Sequence, residues 1–196
     1  TQGVSSAASD VYKRQEQLSA IFRALNAIPH IKRIRIHTRL PIVLPDRIDS
    51  GLLDIFSSSD KSTVIVVHVN HPHELDDKTK DGLRHSHAAG ATLFNQSVLL
   101  RGVNDDADVL FALSNELFAA GVIPYYINLL DPVSGAAHFE VDEEKALNLE
   151  HQLITRLPGY LLPKFVREIP GAPGKLGQQS PKEWVAPYRK DGFSGE

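Results

Sequence analysis

The sequence predicts an α/β fold in which parallel strands alternate with helices. Four runs of apolar and β-branched residues have the length of strands. The segments between them carry apolar residues at three- and four-residue spacings, which is the pattern of amphipathic helices, and their length suits crossover connections. No glycine-rich loop follows a strand, which disfavours a dinucleotide-binding sheet. A doubly wound sheet and part of a barrel are both compatible with this order.

The first predicted helix begins at residue 16, because Leu18, Phe22 and Leu25 recur at helical spacings, and Pro29 closes it. Residues 31–37 (IKRIRIH) follow as a strand, since apolar side chains alternate with basic ones. The order therefore starts with a helix, as though earlier strand–helix units came before it. The later predicted elements are a helix over 45–56, a strand over 63–70, a helix over 73–89, a strand over 90–100, a helix over 105–120, a strand over 122–130, a helix over 142–157 and a short strand over 164–169.

Both ends of the chain depart from this alternation. Residues 1–15 are small, polar and aperiodic, and we expect them to be a separate leader, either disordered or an artefactual junction. Proline and glycine recur from residue 158, so residues 158–196 are expected to form a long loop that contains the last short strand. The predicted organisation is a leader over 1–15, strand–helix units over 16–157 and a tail over 158–196.

The composition excludes several classes of protein. The net charge of -3 offers no basic surface for nucleic acid. No apolar run approaches the ~20 residues that cross a bilayer, and residues 1–15 lack the apolar segment of a signal peptide. The absence of cysteine excludes disulfides and any thiolate ligand from this chain, and it is compatible with the cytoplasm, where we expect the protein. The absence of methionine indicates a missing natural start, so the chain is interpreted as a fragment.

Polar side chains gather where the predicted strands end. They are His37 and Arg39 after the first strand, His68, Asn70, His71 and His73 after the second, Asn95, Gln96 and Ser97 within the third, and Asn128 and Asp131 at the end of the fourth. The carboxyl ends of the strands form the active-site face of a β/α barrel, so this coincidence favours a site. A buried polar group without a partner costs roughly 1–3 kcal/mol, which argues against chance placement. The alternative, that these residues simply begin loops, fits any single strand equally well.

The histidines form no recognisable metal motif. His71 and His73 are separated by a proline. His85 and His87 stand two apart on a predicted helix and so point to different faces. No HExxH segment is present. Solvated or hydrogen-bonded imidazoles are therefore preferred over a metal site built from this chain alone.

One lysine in the tail stands out by its surroundings. Lys175 follows a run of glycine and proline over residues 168–174 (EIPGAPG), which can hold it rigidly and allow a close approach to a partner. A lysine that forms an imine needs such an approach together with a lowered basicity. By sequence chemistry alone, a Gly-Lys step in a loop is more often a surface turn.

Five segments resemble, in family order, the lysine 2,3-aminomutase family of radical S-adenosylmethionine enzymes. They are RIRIHTRLPIVLPDRI (33–48), HVNHPHEL (68–75), LFNQSVLLRGVND (93–105), IPYYINLLDPVSGAAHF (123–139) and PGYLLPKFVREIPGAPGK (158–175). The resemblance runs from about residue 16 to residue 175. The segment LLDPVSGAAHF and the short tail most resemble the bacterial short form, the elongation factor P β-lysylation protein.

The resemblance implies an incomplete (β/α) barrel of the radical-SAM type, with about four parallel strands in this chain. It implies pyridoxal 5'-phosphate, S-adenosyl-L-methionine and a [4Fe–4S] cluster as cofactors, with the CxxxCxxC cluster ligands outside this chain. Family members generate a 5′-deoxyadenosyl radical that takes a hydrogen from C3 of L-lysine, and the amine then migrates from C2 to C3. Because the cluster ligands are missing, we expect the chain to be inactive alone.

Residue roles are carried over by position in the family motifs. Lys175 is expected to hold pyridoxal phosphate as an imine. Asp131 matches the acid that holds the side-chain ammonium of the substrate, and Glu168 stands where long-form enzymes have a second acid, an aspartate. Gln96 and Arg39 match strand-end positions that are expected to face S-adenosylmethionine or the cofactor.

The expected partners are L-lysine and, through the short form, proteins of the elongation factor P pathway. Two other interpretations stay open at this point. The chain could belong to an aminomutase for another amino acid such as glutamate, or it could be a non-catalytic barrel remnant that binds a protein partner. A barrel without its first strands would also expose an edge along residues 31–37, which permits self-association.

Overall fold

The computed structural model describes residues 15–131, 135–169, 172 and 174–177. Its strands are β1 (Arg33–His37), β2 (Ser62–Val67), β3 (Thr92–Val98), β4 (Val122–Asn128), β5 (Lys164–Arg167) and β6 (Leu176–Gly177). Its helices are α1 (Gln15–Asn26), α2 (Leu40–Val43), α3 (Ser50–Ser57), α4 (Asp77–Ala88), α5 (Ala107–Ala119) and α6 (Glu143–Ile154). The predicted leader, apart from Gln15 at the start of α1, lies outside the described residues, as does the tail beyond Gly177.

The six strands form one open sheet in the order β1-β2-β3-β4-β5-β6. Strands β1 to β5 are parallel, which confirms the predicted α/β arrangement. Within the described residues there are five such strands rather than about four, because the short segment at Lys164–Arg167 also pairs in parallel. β6 was not predicted and runs antiparallel to β5. The described strands do not close into a barrel, and β1 is one outer edge of the sheet.

Two predicted helices are each divided by an aspartate cap. A short 3₁₀ turn precedes α3, because Asp49 takes an extended conformation and its carboxylate accepts the amide of Leu52 at 2.9 Å. Asp76 does the same before α4 and accepts the amide of Thr79 at 2.7 Å. Such an acceptor satisfies an amide that the first turn of a helix leaves without a partner. The predictions of unbroken helices over 45–56 and 73–89 are therefore wrong in this respect.

α4 and α5 are each followed by a glycine in the left-handed conformation. Gly90 has φ 95° and Gly121 has φ 80°. A side chain would be strained at such a φ, and glycine allows the chain to leave the helix at once. β3 and β4 therefore begin within a few residues of the preceding helices, as a short strand–helix repeat requires.

One face of the sheet packs against the helices. Ile65 and Val67 of β2 and Leu93 of β3 share an apolar core with Phe22 of α1 and Leu117 of α5. A second core continues this face under α6, and its members include Leu110, Ile127, Leu149, Leu153 and Phe165. Side chains alternate along a strand, so the residues between these positions point away from the helices.

The opposite surface, called the open face below, is more polar. By strand register it includes Arg35, His37, Val64, Val66, Thr92, Phe94, Gln96, Val98, Tyr126, Asn128, Lys164 and Val166, and by alternation His68 beyond the end of β2. Most of these side chains are half-buried, whereas those of the two cores are buried almost completely. The sheet thus has one face that stabilises the fold and one face on which polar groups remain accessible.

A β-bulge in β4 determines which side chains reach the open face. The register of β3 against β4 slips by one residue before Gln96, which pairs with Tyr126, so that Tyr125 is an extra residue. The extra residue shifts the alternation, and Tyr126 and Asn128 consequently share the open face with Gln96. The Tyr125 ring lies on this side as well, with its centroid 5.1 Å from that of Phe94.

Candidate active site

β5 and β6 bring Lys175 to the carboxyl end of the parallel strands. Leu176 of β6 lies opposite Arg167 of β5, and the next step of this antiparallel register sets Lys175 opposite Glu168. The Nζ atom of Lys175 is 2.6 Å from Oε1 of Glu168. The Lys175 side chain is 23% exposed, so its amine is held by protein groups and still accessible.

Two residues of β4 contact the same amine. Lys175 Nζ donates a hydrogen bond to Oδ1 of Asn128 at 2.6 Å and lies 5.4 Å from the centroid of the Tyr126 ring. The amide nitrogen of Asn128 donates to the carbonyl oxygen of Ser97 at 3.0 Å. Lys175 is therefore surrounded by a carboxylate, a neutral amide oxygen and an aromatic ring.

A second carboxylate follows β4. Asp131 is exposed as a residue, but the protein atoms that desolvate its carboxyl group raise its pKa, and the negative charge of Glu168 raises it further. The positive charges of Lys175 and Arg167 act in the opposite direction on this pKa. Arg167 is also paired with Glu143 at 2.9 Å. The structure thus brings the predicted residues Lys175, Asp131 and Glu168 into one electrostatic cluster.

Two imidazoles lie on the β1–β2 side of the open face. The ring centroids of His37 and His68 are 6.4 Å apart. Burial lowers the pKa of both rings, and nearby positive charge lowers it further, from Arg35 at His37 and from Arg39 at His68. The charge of Lys175 contributes to both shifts. Both rings are therefore neutral near pH 7 and can donate or accept hydrogen bonds.

Aromatic rings occupy the middle of the open face. The centroids of the Tyr125 and Tyr126 rings are 3.7 Å apart. Burial, followed by the hydrogen bond with Tyr125, raises the pKa of Tyr126 to about 12. The Tyr126 phenol therefore stays protonated and uncharged at ordinary pH, beside the amine of Lys175.

Gln96 and Arg39, expected to face S-adenosylmethionine or the cofactor, have different surroundings. Gln96 is 8% exposed on the open face, and its side chain makes no hydrogen bond with any residue in the described ranges. The amide lies on the open face, where a ligand could form hydrogen bonds with it. Arg39 is half-exposed and binds Glu74 at 2.8 Å, near His68.

Other polar residues at the strand ends serve the backbone instead. Asn95 is 2% exposed; it accepts the amide of Val69 at 2.8 Å and donates to the carbonyl of Val69 at 3.0 Å. The hydroxyl of Ser97 donates to the same carbonyl at 2.7 Å. Both side chains lie on the helix-facing side, where they continue the bonding of β2 beyond its last ladder position. The prediction that polar strand-end residues mark a site does not hold for these two.

Sequence reasoning named Asn128 only as a polar strand end and did not single out Tyr126. The signal that could have found Asn128 is its place at the end of the fourth predicted strand. Nothing in the alternation of β4 indicates that Tyr126 faces the same side, because the bulge is not visible in the sequence pattern.

A separate cleft of about 650 Å³ lies between the first turns of α5 and α6 and contains none of the predicted site residues. Its acidic side chains are partly neutralised, since Lys145 pairs with Asp105 and Arg156 pairs with Asp108 at 2.7 Å. Across the described ranges, no group of three or more potential ligands could hold a metal ion. In the same part of the chain, no helix is both long and apolar enough to cross a membrane.

Sequence comparisons give the chain its relatives. No protein-family model matches it. It is 48% identical to the L-lysine 2,3-aminomutase of Escherichia coli K12 over 162 residues, which cover 83% of this chain and 47% of that protein. The L-lysine 2,3-aminomutases of Haemophilus influenzae and Buchnera aphidicola are 44% and 43% identical over 83% of this chain and 48% of their own length.

The chain spans about half the length of the curated relatives it matches, and the matched half is their C-terminal part. At this identity over four fifths of its length, the chain is homologous to the C-terminal part of the L-lysine 2,3-aminomutases.

Proposed function

We propose that this chain forms the pyridoxal phosphate- and lysine-binding part of a radical S-adenosylmethionine lysine 2,3-aminomutase, which converts L-lysine to β-lysine for the modification of elongation factor P. The observation that carries this proposal is the Lys175 amine, held 2.6 Å from Glu168 beside the charge of Asp131 at the carboxyl ends of the strands. In this proposal the open face lines the lumen of an incomplete barrel.

The surroundings of Lys175 fit an aldehyde cofactor. The amine lies at the rim of the open face, beside the aromatic rings of Tyr125 and Tyr126, and the uncharged imidazoles of His37 and His68 face the same space. When bound, pyridoxal phosphate supplies an aldehyde for Lys175 and a conjugated ring that stabilises charge or an unpaired electron. Lys175 would hold it covalently, and the aromatic rings would exclude water from one side.

The two carboxylates suit a substrate with a cationic side chain. Glu168 is paired with the ammonium of Lys175, whose positive charge also acts on the carboxyl group of Asp131. Both carboxylates lose this positive charge when the amine becomes uncharged. A second ammonium group can then take its place, because a hydrogen bond between an ammonium and a carboxylate is stronger than one between neutral groups. The side chain of glutamate would instead meet like charge, which disfavours a glutamate aminomutase.

Gln96 and Arg39 are proposed to contact S-adenosylmethionine or pyridoxal phosphate. The position of Gln96 on the open face supports this role for Gln96. The residues present do not fit a [4Fe–4S] cluster, because the 196 residues contain no cysteine and so offer no thiolate ligand. We therefore propose that cleavage of S-adenosylmethionine needs residues other than these.

Chemical trapping tests the role of Lys175. The chain is incubated with pyridoxal phosphate, reduced with borohydride and digested, and the labelled peptides are identified by mass. We expect the label on Lys175, its loss in Lys175→Ala, and full labelling of Lys175 in the control Lys145→Ala, whose lysine lies in the helix layer. Label spread evenly over other lysines, or unchanged in Lys175→Ala, would contradict the proposal.

Binding calorimetry on the chain with bound pyridoxal phosphate tests which amino acid is the substrate. L-Lysine should bind and L-glutamate should not, and Asp131→Asn or Glu168→Gln should each weaken the binding of L-lysine by about 10- to 100-fold, as expected for one charge-assisted contact. Tighter binding of L-glutamate would contradict the proposal and support a glutamate aminomutase. If neither amino acid binds, the interpretation as a non-catalytic barrel remnant is favoured.

A further inference from the structure

We propose that Asn128 is a positioning residue for Lys175, which orients the amine toward an aldehyde through a neutral hydrogen bond. The inference rests on the proposed function, in which Lys175 takes the aldehyde of pyridoxal phosphate. It concerns a contact that none of the sequence motifs assigned.

The hydrogen bonds of Asn128 fix which end of its amide faces Lys175. Its nitrogen donates to the carbonyl oxygen of Ser97 at 3.0 Å, and its oxygen accepts from Lys175 at 2.6 Å. A reversed amide would set two oxygens against each other on one side and two donors on the other. Only one orientation of the Asn128 amide therefore satisfies both hydrogen bonds, and in that orientation its oxygen points at the amine of Lys175.

The support behind this contact is rigid. Ser97 is 2% exposed, and its hydroxyl is bonded to the carbonyl of Val69 at 2.7 Å. The amine of Lys175 is thus connected through Asn128 and Ser97 to the centre of the parallel sheet. A group held by a strand and by a second layer of hydrogen bonds is positioned more accurately than one on a loop.

A neutral acceptor suits the chemistry better than a second carboxylate at this position. To react, Lys175 must first lose one proton to the solvent. Its lone pair then forms a bond to the aldehyde carbon, the carbon–oxygen bond breaks, and the oxygen leaves as water with the two hydrogens of the amine. Glu168 stabilises the charged form of the amine, which cannot react. The oxygen of Asn128 accepts an N–H from the charged and the uncharged amine alike, so Lys175 stays in place when its charge is lost.

The charges that face Lys175 define how an added charge would act. The titratable or charged groups around the amine are Glu168 and Asp131 after β5 and β4, Tyr126 on β4, Arg167 on β5, and His37 and His68 at the ends of β1 and β2. Near neutral pH the carboxylates carry the negative charge, and the phenol and imidazoles carry none. An aspartate in place of Asn128 would therefore add one negative charge in direct contact with the amine.

The substitution Asn128→Asp tests the inference, because it preserves the shape of the side chain and adds that charge, at the loss of the hydrogen bond to the carbonyl of Ser97. The rate at which pyridoxal phosphate is trapped on Lys175 by borohydride is measured against pH by peptide mass. We expect the pH of half-maximal trapping to rise by about 1–3 units, the range for a carboxylate in contact with an amine. Asn115→Asp, which adds the same charge at an exposed site on α5, should leave the midpoint unchanged.

A second variant tests the inference if Asn128→Asp does not fold. Asn128→Ala removes the acceptor without adding charge, so trapping should slow by about tenfold, the value of one hydrogen bond of roughly 1.4 kcal/mol, while the midpoint stays close to wild type. Asn128→Gln should recover part of the rate. Wild-type rates and midpoints in both Asn128→Asp and Asn128→Ala would overturn the role of Asn128 and leave that of Lys175 standing, whereas absence of trapping in the wild type would overturn both.

Discussion

The two faces of the sheet differ most clearly along β3, where neighbouring residues meet opposite requirements. Leu93 is 1% exposed in the helix-facing core, whereas Phe94 is half-buried on the open face. Asn95 and Gln96 are both buried, but Asn95 is bonded to the backbone of Val69 and Gln96 has no partner in the described ranges. Burial alone therefore does not separate the residues that stabilise the fold from those available for a ligand; the satisfaction of polar atoms does.

The largest difference should appear when one apolar side chain is removed from each face. Leu93→Ala leaves a cavity in a close-packed core and is expected to lower the free energy of unfolding by about 2–5 kcal/mol. Phe94→Ala removes a half-exposed ring and should cost about 1 kcal/mol, about half the value of full burial. Urea unfolding of the two variants measures the difference, and equal losses would show that the open face is packed as firmly as the other.

Replacing Asn95 and Gln96 in turn by leucine compares a polar side chain of the helix-facing side with one of the open face. Asn95→Leu leaves the amide of Val69 without its partner and removes one of the two donors to the carbonyl of Val69, so it should cost about 2–3 kcal/mol. Gln96→Leu removes an amide that has no partner among the described residues, so the free energy of unfolding should stay within about 1 kcal/mol of wild type or rise. A large loss in Gln96→Leu, measured by urea unfolding, would reveal a bond to that amide.

The smallest effect should come from the imidazoles of the open face. The pKa values of His37 and His68 are lowered in the folded chain, so below about pH 6.5 the unfolded chain binds more protons than the folded one. The free energy of unfolding should therefore fall as the pH decreases from about 6.5, until it passes below the folded pKa values. The double variant His37→Gln, His68→Gln should flatten this fall, and the exposed His30→Gln should not. Identical pH profiles would show that the two rings are not desolvated.

The end of a strand is hard to predict where a side chain, instead of a neighbouring backbone, forms the hydrogen bonds. Residues 63–70 were predicted as one strand, but β2 ends at Val67. The amide and carbonyl of Val69 are bonded by Asn95 rather than by a neighbouring strand. Alternation and β-branched composition continue through this point, and they carry no sign of where a side chain replaces the backbone.

The family motifs predicted the residues of the candidate site, whereas the alternation of side chains along the strands predicted only some of them. Lys175, Asp131 and Glu168 followed from the family resemblance, and the structure brings them together. Counting by twos from Pro124 would set Tyr126 and Asn128 on the helix-facing side, and the bulge reverses this assignment. β6, which brings Lys175 opposite Glu168, is two residues long and too short for any periodic signal.

The outer edge of β1 has a consequence for handling the chain in solution. Two copies that paired in antiparallel fashion about Ile34 would set Arg33 of each copy opposite Arg35 of the other, and both side chains are exposed on this strand. Their repulsion extends over about 10 Å in 0.1 M salt and only about 3 Å in 1 M salt. A high salt concentration would thus weaken the repulsion that opposes pairing of two β1 edges. We therefore expect a low salt concentration to keep the copies apart.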